Sequence, residues 1–490
     1  MSTAVSTSPD RAARVYAWRV VSVTSLGAVL SSLNISALNV ALPVVARHFN
    51  AGATSASWLL LLYMITTTVM MLNFGRVADL MGRRELYIAG MALLTLSSLG
   101  CGLAPSITVL QIFRVLQAIG AGALITNTTA IITDALPRDI LPIGLSVQLT
   151  LVAAAQVAGP SLGGLLAQEF GWRAVFWFNV PGGVFGVAWA LLSLRRVPRP
   201  PRTEAFDFIS AVLSLFILGG LVTALSQGSA LGWTAPLVLA AAGVFLVALP
   251  VFVHRQRRLA SPLVDLTLFD SWARTSAYLT HFLLAAIRLG AILLVALYLQ
   301  GAGAARSGIA GAVVSGVALG IVLTSPVSGW LMRHLRAQVQ CTLGMGLSAA
   351  ALVALGLLLT PDLAPAVIGV LLLMIGIGAG LFITPNTASI MLSVPPQRRG
   401  IANAVRSTAQ NTGYALSTAV LLGIATAPLP PAQRELAYRG ELSSLGHDAI
   451  ARFTTATHTA LFVLAGLAVV AVAISYSRGS RPIAAAADTD

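Results

Sequence analysis

The chain has 490 residues, of which 57% are hydrophobic and 9% charged, with a formal net charge of +14. A soluble protein carries about 25% charged residues because its surface faces water. That composition excludes a soluble globular chain and a disordered one, and two distant cysteines exclude a disulfide scaffold. All thirty basic residues are arginine, scattered in small groups among apolar segments, which points to a membrane rather than to nucleic acid.

A bilayer core takes about 20 apolar residues in helical form. In chain order, spans are predicted at 18–42, 56–75, 84–104, 107–133, 143–167, 173–194, 206–227, 234–253, 275–299, 307–332, 339–360, 365–394, 400–427 and 456–477. The expected fold is therefore an all-α membrane protein of fourteen spans. With both termini in the cytosol, twenty-two arginines fall inside and six outside, as the positive-inside rule requires. The polar start lacks a cleavable signal pattern, so the first span is expected to stay.

Ile119–Thr126 has a close echo at Ile377–Thr384, 258 positions later. Weaker echoes pair Gly75 with Gly329 and Gly144 with Gly400, at offsets of 254 and 256. Nearly one offset predicts a duplicated six-span unit, both copies oriented alike. The predicted organisation is a cytosolic segment over 1–17, a six-helix bundle over 18–194, a linker with two extra transmembrane helices over 195–258, a second six-helix bundle over 259–477 and a cytosolic tail over 478–490. The extra pair reads equally as an interdomain insertion.

In the turn between spans two and three, Gly75 permits close helix approach and Gly82 suits a tight turn. Asp79, Arg83 and Asp134 are expected to form a cytosolic charge cluster that holds one conformation and opens in another; the plain alternative is a capped turn with solvated charges. In span four, Arg114 lies roughly 9 Å from the outer end, at 1.5 Å per residue. Gln117 shares a similar face, and the pair either serves a central cavity or leaves Arg114 to snorkel outward. In span five, Pro160 removes the hydrogen bond to the carbonyl of Gln156, while Gly159, Gly163 and Gly164 offer a small face where the helix packs closely or bends. Arg288 lies about 21 Å from the cytosolic end of its span. His281 stands two turns below it on the same face. Both are expected to line a cavity between the halves; a structural arginine bonded to backbone carbonyls is the alternative. The span at 400–427 opens with polar residues, Gln410 among those expected to face the cavity.

The decamer Gly75–Arg84 resembles the cytosolic signature loop of the major facilitator superfamily. Leu110–Gly122 is similar to its fourth-span motif, and Ala155–Gly164 resembles the fifth-span antiporter motif that marks exporters. Trp58, Tyr63, Asn39–Pro43 and Gly171–Pro181 look like the fourteen-span drug:proton antiporter branch. The resemblance covers essentially the whole chain. It implies a transporter exporting small amphiphiles across a bacterial plasma membrane by alternating access and proton antiport, with Arg114 serving proton transfer. The second-half signature carries Arg333 where the first half has Asp79, so the gating cluster is expected on one side only.

One departure changes the chemistry. Where that branch carries an aspartate in span one, this chain has Asn34, and no acid is placed near mid-membrane. A proton carrier must titrate. Asparagine does not and arginine is always charged, which leaves His281, with an ordinary pKa of about 6.5, as the mid-span candidate. A cavity built from Asn34, Tyr63, Gln117, Gln156, His281, Arg288 and Gln410 suits neutral or anionic amphiphiles. The rivals are a proton-independent lipid or metabolite transporter and an uptake carrier on the same fold. A membrane enzyme is disfavoured, because the outer acids Glu169, Glu435, Glu441 and Asp448 form no cluster. No cofactor, metal or nucleic-acid partner is expected; the partners are substrate, proton and lipid, and the protein is expected to be a monomer. The outer loop over 428–455 receives no role.

Overall fold

The computed structural model describes residues 9–51, 53–196, 207–259, 262–301, 307–360, 363–430, 433 and 447–478. Described elements are helical throughout: α1 Pro9–His48, α2 Ala53–Met81, α3 Arg83–Leu103, α4 Ile107–Ala135, α5 Leu141–Glu169, α6 Ala174–Trp177, α7 Asn179–Ser193, α8 Phe208–Leu231, α9 Pro236–Arg258, α10 Trp272–Gly301, α11 Ser307–Leu331, α12 Ala337–Leu358, α13 Pro365–Leu392, α14 Arg399–Thr426 and α15 His447–Tyr476, with short 3₁₀ turns at Leu266–Phe269 and Pro396–Arg398. Among the described residues, thirteen segments are long and apolar enough to cross a membrane, α6 and α7 together counting as one. The exception among the fourteen expected spans is α14. It runs unbroken for 28 residues, but Arg399, Asn403, Arg406, Gln410 and Asn411 make its first half too polar to qualify.

Local chemistry sets the boundaries. Gly82, at φ 103°, takes a backbone shape that side chains resist and so separates α2 from α3. Ser106 caps α4 by accepting the Val109 amide at 3.3 Å. Arg84 reaches the far end of α7 and donates to the carbonyls of Leu194 and Leu191 at 2.8 and 3.3 Å, satisfying groups a helix end leaves open.

The chain forms two compact units. The first comprises Met1–Ser214, His254–Asp265 and Val394–Ser407; the second comprises Leu215–Val253, Leu266–Ser393 and Thr408–Asp490. In the first, α3 crosses α4 where Gly90 meets Gly120: a Cβ on Gly120 would stand 2.7 Å from the Gly90 carbonyl. In the second, α12 crosses α13 where Gly344 meets Gly378, and a Cβ on either would stand 2.4–2.5 Å from the other's carbonyl oxygen. Gly344 follows Gly90 by 254 positions and Gly378 follows Gly120 by 258, the spacing of the sequence echoes. Backbones that touch this closely gain dispersion energy that lipid cannot supply.

The crossing of α1 with α5 depends on the same device. A Cβ on Gly163 would lie 2.4 Å from the Ala37 carbonyl oxygen, and one on Gly159 2.5 Å from the Ser36 Cβ. Pro160 sits inside α5 without ending it. The carbonyl of Gln156, deprived of its helical donor by that proline, accepts the Ser36 hydroxyl at 3.1 Å instead. The Gln156 side chain itself is exposed.

Gly163→Ala should therefore lower the thermal unfolding midpoint of detergent-solubilised protein, at a cost of about 1–3 kcal/mol for overpacking a tight contact. Gly346→Ala, with open space around its Cβ, should leave the midpoint unchanged.

Candidate functional site

Two apolar clusters fill the first unit, one including Leu30, Tyr63, Leu94 and Ala118, the other Leu38, Leu59, Cys101 and Leu110. In sequence, Asn34, Ser98 and Arg114 fall between members of the two clusters on α1, α3 and α4. The structure brings these positions together as a polar layer. Arg114 is fully buried. Its Nη1 donates to Asn34 Oδ1, and to Gln117 Oε1 at 2.7 Å; its Nε donates to the Leu59 carbonyl at 3.3 Å. The guanidinium lies 4.2 Å over the Tyr63 ring. Gln117 in turn donates to Ser98 Oγ at 2.7 Å. Every partner of the cation is neutral, which follows from asparagine at position 34. Arg114 Nη2, Asn34 Nδ2 and Tyr63 Oη find no hydrogen-bond partner among the described residues. Ser98 gives no signal in the sequence, because nothing local distinguishes it from its neighbour Ser97 in an apolar helix.

At one end of the same unit Asp134 is held by two arginines. Arg83 makes an ion pair with Oδ2, and Arg399 reaches Oδ1 at 2.8 Å. Arg83 also donates to the Pro396 carbonyl. Asn403, one turn into α14, donates to the carbonyls of Thr126 and Ile125 at 2.7 and 3.3 Å. Gly75 on α2 faces Ala404 and Gly400, where a Cβ would stand 2.5 Å from that of Ala404. The structure brings Arg83 and Asp134 together and adds a second arginine, Arg399. Pairings across this much chain leave no local pattern. The side chain of Asp79 lies outside the described residues.

The second unit carries its own polar row. His281 Nε2 and Gln410 Oε1 are 3.1 Å apart, and Gln410 Nε2 donates to Tyr414 Oη at 2.9 Å. Arg288 stands over the Tyr414 ring, 5.4 Å from its centroid. Because the Gln410 amide nitrogen is used by Tyr414, its oxygen faces the imidazole, which assigns the proton to His281 Nε2. Arg288 is half-buried and forms no ion pair among the described residues. The packing beneath is tight, with a Cβ on Gly413 falling 2.5 Å from the Phe282 carbonyl, and Ser417 Oγ donating to the Ala286 carbonyl at 2.6 Å.

A further charged group closes the base of the extra helices. Arg255 on α9 grips Asp207 through Nη2 at 2.9 Å and Nε at 3.1 Å. Asp207 also caps α8 by accepting the Ser210 amide at 3.3 Å. The Arg255 hydrogen bond, aided by Ser210 and opposed by burial, holds the Asp207 carboxyl at about 2, below its ordinary 3.8.

The superfamily model described as "Major Facilitator Superfamily" matches residues 24–418. The chain belongs to that superfamily. It is 30% identical over 399 residues to the multidrug resistance protein Stp of Mycobacterium tuberculosis, covering 81% of this chain and 74% of that protein. It is 29% identical over 440 residues to the multidrug efflux pump LfrA of Mycolicibacterium smegmatis, covering 87% and 84%. The crystal structure of the human organic anion transporter MFSD10 has the same fold, with a TM-score of 0.65 at 16% identity over 92% of this chain and 99% of that one. The resemblance to the superfamily and its multidrug efflux type therefore holds, and the chain is a multi-span membrane protein of a transporter family.

Two outcomes follow from these geometries. Asn34→Leu strips a buried guanidinium of an acceptor and should cost about 1–3 kcal/mol or more, seen as a lower unfolding midpoint; Asn34→Asp, which keeps an acceptor, should be milder. The folded pKa of Asp207 is depressed, so its contribution is present above about pH 4 and is lost as pH falls toward 2. The stability difference between the parent and Asp207→Asn should be flat from pH 6 to 8 and shrink only in acid.

Proposed function

We propose that this superfamily member exports small amphiphilic compounds, neutral or anionic, across a bacterial plasma membrane by alternating access. In this reading α14 is the fourteenth span, both termini are cytosolic, and the Asp134 cluster lies on the cytosolic side. Efflux is the activity named for LfrA and multidrug resistance the property named for Stp, and the fifth-span motif Ala155–Gly164 agrees with export.

One observation carries the choice of substrate: among the described residues, Arg114 and Arg288 meet only neutral groups. Arg114 is surrounded by Asn34, Gln117, Tyr63 and a backbone carbonyl. Arg288 has the face of Tyr414. A cation in low dielectric attracts an anion and repels another cation, and both effects weaken once a carboxylate stands beside it. Arg288, half-buried, is the residue assigned to meet an acidic or electron-rich headgroup. Asn34 and Gln117 keep Arg114 charged and in place. Under the same reading, Gly159, Pro160, Gly163 and Gly164 form the element on which α5 flexes.

The proton step implied by the family is assigned to His281, because an imidazole can take up and release a proton where asparagine and arginine do not. Its Nε2–H rests on Gln410, so protonation at Nδ1 leaves that bond intact. Asparagine at position 34 favours one rival, transport that needs no proton gradient. Inverted membrane vesicles loaded from the outside with an anionic fluorescent amphiphile separate them. Uptake should rise with an imposed pH gradient, His281→Ala should abolish that rise, and Arg288→Ala should lower uptake about tenfold. Strong transport of a quaternary ammonium dye by the parent would overturn the anionic reading, and uptake indifferent to the gradient would overturn the proton step.

A further inference from the structure

The extra helices α8 and α9 are joined to the Asp134 cluster by a path of side-chain bonds and short backbone steps, all within the first unit. It starts at the clip where Arg255 grips Asp207 and Asp207 caps Ser210. Gln256, the next residue on α9, is 3% exposed and uses both ends of its amide. Its Nε2 donates to Ser210 Oγ at 2.7 Å, and its Oε1 accepts the Val264 amide at 3.0 Å. Leu263 and Val264 are buried. Asp265 follows at once and forms an ion pair with Arg398. Arg398 ends the turn Pro396–Arg398, whose first carbonyl binds Arg83 and whose next residue, Arg399, binds Asp134.

We infer that Gln256 and Asp265 are positioning residues for the Asp134 cluster, and that through them the extra helices are coupled to it. A passive connector needs none of these contacts. A buried glutamine amide, satisfied at both ends by two different segments, instead fixes their spacing to one value. The ion pair then transmits that spacing. Asp265 keeps only 17% of its side chain exposed while Arg398 keeps 51%, so the carboxylate is the fixed member and the arginine the one it steers. Whatever displaces α9 or its exit segment pulls on Arg398, and Arg398 is bonded in sequence to Arg399. The pair is partly solvated, and partly solvated pairs shift an equilibrium only by a small factor. That magnitude suits a bias on the cluster rather than a permanent lock.

The test uses the full-length protein in lipid nanodiscs and reads hydrogen–deuterium exchange, which requires no assumption about substrate. Asp265→Asn should speed exchange of the amides at 399–403 about two- to fivefold, with no change at the α3–α4 crossing. Gln256→Leu, which keeps the volume but loses both bonds, should do the same. The charge-swapped double variant Asp265→Arg with Arg398→Asp should restore the parent rate. In vesicles, Asp265→Asn should alter the maximal transport rate and leave the half-saturating concentration alone. Unchanged exchange in Asp265→Asn, or no rescue by the swapped pair, overturns the assignment whatever the transport assay shows.

Discussion

A guanidinium buried within a membrane-spanning bundle governs this structure. Placing an arginine there costs several kcal/mol unless its donors are met, and in the first unit Nη1 is met by two side-chain amides and Nε by a carbonyl, with a ring face beside the guanidinium in place of a carboxylate. Four helices must agree for that to happen: α1 supplies Asn34, α2 supplies Tyr63 and the Leu59 carbonyl, α3 supplies Ser98 and α4 supplies Gln117. The apolar clusters on either side of the layer exclude water and so raise the value of each bond. Packing and polar chemistry are therefore one problem here, since a helix cannot shift in this layer without exposing a charge.

Much of this was legible in the chain. Hydropathy located the helices, and glycine spacing anticipated where they touch, because small residues are what permit close approach in lipid. Arg83 and Asp134 stand out in a short motif and at a helix end, and the structure brings the two side chains together. Other features were not. Arg399 joins Asp134 from 265 positions away, and Asp207 finds Arg255 across a hairpin; neither pairing leaves a periodic trace. The apolarity of α14 was overestimated for a related reason. Its polar residues lie along the first half, where Asn403 bonds the α4 backbone, so a window average judges the helix poorly.

The polar groups also divide by what they bond. At the Asp134 end, charges meet charges near the surface, where solvent keeps their net energies small. Along the helices of both units, cations meet neutral dipoles and aromatic faces, as with buried Arg114 on Tyr63 and half-buried Arg288 on Tyr414. A shallow ionic rim can be rearranged at low cost, whereas a deep dipolar cage is stiff and keeps its charge. Under the proposed alternating-access reading, this separation lets the ionic rim of a unit rearrange while its buried polar layer stays intact.

The Ser36 bond to the Gln156 carbonyl has a mechanical meaning of its own. Proline creates a single vacant acceptor at one height of α5, and the hydroxyl that fills it belongs to α1. Sliding one helix along the other by a turn leaves that oxygen empty and drives the Gly163 face away from Ala37. The two helices are thus notched together like a detent in a ratchet: free to rock about the notch, and resistant to translation through it.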